Sequence, residues 1–173
     1  MKKKILLGLL IVLGLCTITG CGCSKKESNN NEEKEVDDSL VVVNGVELHL
    51  NQEKEYQGIK YTITDDLDKA DFDYVIQYYK YQDSGPNLMF FRIFVYEGKT
   101  RDEIKYDLAI EDEYVEESGK TDNVEYQFID LNREDGTIHF YLIDKDNKTY
   151  VVNFVSQYDI KDFEKKVLNS VKF

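Results

Sequence analysis

The chain has 173 residues, with 34 acidic against 22 basic side chains for a formal charge of −12, three cysteines, one proline and no tryptophan. Its three arginines, Arg92, Arg101 and Arg133, are spread along the sequence, so the clustered basic surface that phosphate binding requires is missing and nucleic acid is not expected as a partner. The same negative sign opposes docking onto anionic headgroups through the protein's own charge.

The N-terminus begins Met1-Lys-Lys-Lys4, continues from Ile5 to Thr19 without a charge, and reaches Ile18-Thr19-Gly20-Cys21. A positive start, a short apolar core and small residues before a cleavage point describe an export signal, and the core is shorter than the roughly 20 apolar residues of a membrane span. The four residues Ile18 to Cys21 resemble the lipobox of bacterial lipoproteins. That resemblance implies that residues 1–20 are a signal peptide, that the Cys21 thiol takes a diacylglyceryl group, and that Cys21 becomes the mature N-terminus on the outer face of the cell membrane. Cys16 and Cys23 lack the flanking residues of the pattern. The alternatives are an uncleaved anchor helix or an ordinary signal peptide. Two acyl chains suffice for stable anchoring.

Removal of residues 1–20 takes three lysines with it and moves the formal charge to −15. Beyond Cys23 there is no cysteine, so no disulfide framework is available and the folded part must be stable through its core. Residues 21–38 hold the lipidation site and a polar, charged stretch from Ser24 that cannot bury enough surface to offset its ordering entropy. This stretch reads as a tether with a root-mean-square reach of roughly 20 Å.

Residues 39–173 read as one α+β domain, an antiparallel sheet flanked by about two helices. Leu40 to Val43 and Val46 to Leu50 flank Asn44-Gly45, a pair suited to a type I′ hairpin turn. Ile59, Tyr61 and Ile63 alternate with polar residues as a half-buried strand does. Phe72 to Tyr81 and Leu88 to Tyr96 follow as strands placed centrally in a sheet, the second apolar on both faces except at Arg92, with Ser84-Gly85-Pro86 turning between them. Thr100-Arg-Asp-Glu103 is a capping box that opens a helix of two to four turns bearing Ile104 and Leu108. Three strands, Glu125 to Leu131, Thr137 to Ile143 and Thr149 to Gln157, then form a meander, and Asp159 reads as the N-cap of a last helix burying Ile160, Phe163, Val167 and Leu168.

This order of elements, with the closing Asn169-Ser-Val-Lys-Phe173, resembles the PsbP/Mog1-like fold, small uncharacterised Gram-positive lipoproteins among its members. The resemblance covers most of residues 55–173 and leaves the first hairpin outside it. It implies a scaffold used mostly by accessory and binding proteins and carries no reaction with it.

Residues that could carry chemistry are few. His49 and His139 both fall in strands and read as ordinary strand side chains, and no hydrolase, zincin or nucleotide-binding motif is present. Asp65, Asp66, Asp68, Asp71 and Asp73 crowd nine residues, and Asp144 and Asp146 share a tight loop, which makes both segments weak calcium candidates. The loop fails as an EF-hand because Thr149 stands where glycine is needed. Tyr74, Tyr78, Tyr79 and Tyr81 crowd one strand, and Tyr is both a favoured strand residue and a contact residue for protein or saccharide. Alternation puts Tyr74 and Tyr78 on one face and Tyr79 and Tyr81 on the other, so one pair is core and the other a candidate binding surface. The expectation is a non-enzymatic lipoprotein without a cofactor that holds or assists an envelope protein. The alternatives are binding of a small ligand or cation, and, third, a cell-envelope hydrolase.

Overall fold

A computed structural model describes residues 37–81, 88–110, 114–131 and 136–173, all within the unit Val36–Phe173. The signal segment, Cys21, Cys23 and the tether through Val36 lie outside the described residues, as do Arg133 and the Ser84-Gly85-Pro86 turn. The described part is a mostly antiparallel β protein with two helices, an α+β arrangement. None of its helices is long and apolar enough to cross a membrane.

Two hairpins come first. β1 (Leu40–Val43) pairs with β2 (Val46–His49) across Asn44-Gly45, whose φ angles of 47° and 77° are those the type I′ turn requires. β3 (Gln52–Tyr56) and β4 (Ile59–Ile63) repeat the device across Gln57-Gly58. Alternation fixes β4, with Ile59, Tyr61 and Ile63 completely buried.

The remaining strands are β5 (Asp68–Asp71), β6 (Val75–Lys80), β7 (Met89–Glu97), β8 (Val115–Lys120), β9 (Glu125–Asp130), β10 (Thr137–Lys145) and β11 (Lys148–Ser156). They form one seven-stranded sheet in the order β5-β6-β7-β11-β10-β9-β8, antiparallel at every pairing. The expected meander is present and longer than expected, since β8 precedes it. β10 and β11 meet across a two-residue turn, Asp146-Asn147, both at positive φ, shorter than the residues 144–148 left between the two expected strands, because pairing continues to Lys145 and Lys148.

Each face of this sheet has its own core. On the first face Ile76, Tyr78, Phe91, Ile93, Val152 and Phe154 are covered by both hairpins and by α2 (Lys161–Ser170), which buries Ile160, Phe163, Val167 and Leu168 as its periodicity demanded. The N-cap of α2 is Ile160, whose side chain makes no capping hydrogen bond; Asp159 instead accepts from the Lys161 amide at 3.1 Å, one residue out of step with the sequence expectation. On the second face α1 (Arg101–Asp107) sets Ile104 against Ile129, Phe140, Leu142 and Val151. Gly119 belongs to β8 because a Cβ there would stand 2.5 Å from the Tyr126 ring.

α1 has two turns and the expected capping box: the Thr100 hydroxyl accepts from the Glu103 amide, and the Glu103 carboxylate accepts from the Thr100 amide at 2.8 Å. Thr100→Ala is expected to cost about 1 kcal/mol, read as a lower urea midpoint at unchanged slope. A smaller loss would mean that packing of Ile104 alone holds the helix.

Candidate functional site

The register of β5, β6, β7 and β11 brings together side chains far apart in sequence. Arg92 stands opposite Gln77 on one side and Asn153 on the other, and Phe90 opposite Tyr79 and Val155, all on the second face of the sheet. α1 packs over the part of this face formed by β7, β11, β10 and β9, and its cluster does not include Tyr79, Phe90, Arg92 or Gln77. These side chains are half-buried, with Tyr81 beside them 59% exposed.

Their geometry is specific. The Arg92 guanidinium lies 5.0 Å from the centroid of the Phe90 ring, and its Nε–H donates to Gln77 Oε1 at 2.8 Å. No carboxylate of the described residues is in salt-bridge distance of it, whereas Arg101 is paired with Asp144. Burial holds the pKa of Arg92 below the usual guanidinium value, because part of the cation has been taken out of water. Tyr79 meets Tyr81 edge to face with centroids 5.0 Å apart, and Phe90 at 6.4 Å.

The tyrosine expectation therefore resolves unevenly. Tyr78 is core, sharing a 2.9 Å hydrogen bond with Tyr61 and stacking on Phe91. Tyr74 was expected to share its face; it precedes β6, outside the regular pleat, and is 62% exposed. Tyr79 and Tyr81 lie together on the second face as expected.

The acidic cluster does not converge. Asp65 pairs with Lys54, Asp66 caps its own turn through Thr64, Asp71 pairs with Lys69, and Asp68 is exposed on the edge strand β5. Among the described residues no group of three or more side chains suited to a metal ion is found. Asp144 accepts from Thr149 Oγ1 at 2.7 Å and bridges to Arg101. His49 pairs with Asp37 at the surface.

His139 is less ordinary than its sequence context implied. Its Nδ1 is 2.8 Å from Glu164 Oε1, its Nε2 is 3.6 Å from Asp130 Oδ1, and Tyr141 OH donates to the same Glu164 oxygen. Glu164 reaches this position from α2 and is buried. Burial first, then the Glu164 charge, pushes the Tyr141 phenol well above its usual pKa. The Phe128 ring stands edge to face on the imidazole at 5.0 Å. The cluster joins α2 to the sheet.

A groove of about 780 Å³ runs along β8 and β9 beside Arg101, Ser118, Lys120, Gln127 and Asp144. The Arg101 Nη1 atom is buried there without a hydrogen-bond partner.

No family model and no curated protein matches the sequence. Among solved structures, a crystal structure from Bacteroides thetaiotaomicron is similar over 66% of this chain and 44% of its own, at 14% identity and a TM-score of 0.36. The present protein thus spans less than half the length of that one.

Proposed function

We propose that this protein is a lipoprotein anchored through Cys21 on the outer face of the cell membrane, whose domain, of the PsbP/Mog1-like kind, holds a partner protein through the β6–β7 face. The observation that carries the reading is the Tyr79, Tyr81, Phe90 and Arg92 cluster, a half-open aromatic surface around a cation that has no counter-charge among the described residues. Aromatic residues and arginine are the side chains that dominate contact energies between proteins. The anchor rests on the lipobox resemblance of Ile18 to Cys21, and the tether holds the domain within a few nanometres of the bilayer. The role is one of contact and not of proton transfer. A second reading, a small-ligand lipoprotein, is favoured by the groove beside Arg101, whose Nη1 lacks a partner.

The test is crosslinking in cells followed by mass spectrometry, with detergent partition, on the wild type, Cys21→Ala and Tyr81→Ser. Cys21→Ala is expected to leave the detergent phase, and Tyr81→Ser to stay in it while losing an envelope protein that the wild type captures. Equal partition of wild type and Cys21→Ala removes the anchor. Equal capture by wild type and Tyr81→Ser removes the face.

A further inference from the structure

The β6–β7 face holds a guanidinium in an unusual position for so acidic a protein. Among the described residues Arg92 has a neutral amide as its hydrogen-bond partner, while the other described arginine, Arg101, has found a carboxylate. Arginine is constrained here in three ways. The Phe90 ring lies 5.0 Å from the guanidinium carbon, Gln77 takes the Nε–H, and the strand register fixes both neighbours. This leaves the two terminal nitrogens, which form the fork that matches a carboxylate in two parallel hydrogen bonds.

From this arrangement we infer that Arg92, with Tyr79, Tyr81 and Phe90, is a receptor for one carboxylate carried beside an apolar or aromatic side group of a partner protein, whether from an Asp, a Glu or the partner's C-terminus. The inference rests on the proposed partner-binding role and names the chemistry of its contact. Charge complementarity selects the occupant: the site holds a positive charge unmatched among the described residues on a chain whose formal charge is −15 once residues 1–20 are removed, so a single carboxylate is attracted locally while a run of acidic residues is repelled by the whole. Ring geometry separates protein from saccharide. A sugar stacks on a broad free ring face, but one face of Phe90 is covered by the guanidinium, and Tyr79 and Tyr81 meet edge to face, which covers one face of one of them. The open edges and hydroxyls that remain suit apolar and aromatic side chains. Desolvation adds to the pull, since a half-buried guanidinium gains more from a carboxylate than an exposed one.

The probe is N-acetylphenylalanine, which carries one carboxylate beside one ring, titrated calorimetrically into the intact protein in detergent; N-acetylphenylalaninamide and glucuronate are titrated in parallel. The acid is expected to bind saturably, with the amide weaker by about tenfold or more, the difference a charge-assisted pair confers. Arg92→Lys is expected to weaken the acid about fivefold, because the ammonium keeps the charge and loses the fork. Tyr81→Ser, at an exposed position where folding is not at stake, is expected to weaken it about threefold, and Tyr106→Ser on α1 to change nothing. Equal binding of acid and amide, no binding of either, or an Arg92→Lys variant that binds as wild type overturns the inference. So does glucuronate binding as tightly as the acid, which would assign the face to an acidic saccharide. If the inference fails in any of these ways while Tyr81→Ser still loses its crosslinked protein, the partner-binding role stands and only its chemistry is wrong.

Discussion

Replacing Phe154 with alanine is expected to destabilise the domain by about 4 kcal/mol, the largest effect of any single core truncation here. Phe154 is fully buried on the first face of the sheet, with ring centroids of Phe91 at 5.2 Å, Tyr141 at 5.9 Å and Phe163 at 6.2 Å. It therefore joins β7, β10 and α2 through one side chain, and the cavity left behind is walled by strands paired on both sides, which cannot collapse into it. The loss would lower the melting temperature by roughly 15 °C and the urea midpoint in proportion. Phe72, more than half exposed in the turn before β6, serves as the contrast: Phe72→Ala is expected to stay within about 0.5 kcal/mol of wild type. If the two variants proved equally mild, the first-face core would not be the source of stability.

Much of this fold was legible because its strongest local signals are also its buried ones. Asn44-Gly45 could form only a tight turn, the Ile59, Tyr61, Ile63 alternation could bury only one face, and the Thr100 to Glu103 box could open only a helix. The strands that sequence missed are β3, β5 and β8, reading QEKEY, DKAD and VEESGK. None shows apolar alternation. Two of them are the edges of the large sheet, where charge guards against pairing with another protein, so the property that hides them from a hydrophobic pattern is their structural role. The acidic residues 65–73 looked like a ligand loop for the same reason, and part of that cluster is an edge strand.

The candidate site divides along the same line. That Tyr79 and Tyr81 share a face follows from the period of a strand, and Arg92 was visible as the one charge in an apolar strand. Its partnership with Gln77 and its place above Phe90 depend on the register between β6 and β7, which the sequence does not state. Glu164 is a sharper case. It lies four residues after Ile160 and four before Leu168, so helical spacing already placed it on the buried face, but its acidic type argued the opposite. What resolves the conflict is His139 and Tyr141, two donors on β10 that only the tertiary structure brings to its carboxylate.

Raising the pH past about 10 is expected to unfold the domain cooperatively, because the folded state holds phenol protons that the unfolded state releases near that pH. Tyr61 is pushed far above its usual value by burial and then by its hydrogen bond with Tyr78; Tyr141 by burial and then by the Glu164 charge. Tyr96 is pushed up to about 12, again by burial first and then by the Asp107 charge. Burial also raises Tyr56 and Tyr150. The sign follows from the direction of these shifts. Below pH 10 both states hold the protons and the full stability is present; above it unfolding releases protons, so each further pH unit removes about 1.4 kcal/mol per shifted group until its folded pKa is reached. Tyr61 and Tyr141 together remove about 5 kcal/mol between pH 10 and 12, and the partly exposed Tyr96 adds a smaller, solvent-screened loss, together a large share of the stability of an ordinary domain. Urea unfolding followed at a series of pH values is expected to give a slope of at least about two protons in this range, and Tyr61→Phe about one fewer. That variant should also lose about 1 kcal/mol at neutral pH, where Tyr78 is left without its hydroxyl partner. A stability that stays level from pH 9 to about 11.5 would mean that water reaches these phenols in the folded state, and the packing of β4 and α2 over the first face would have to be redrawn.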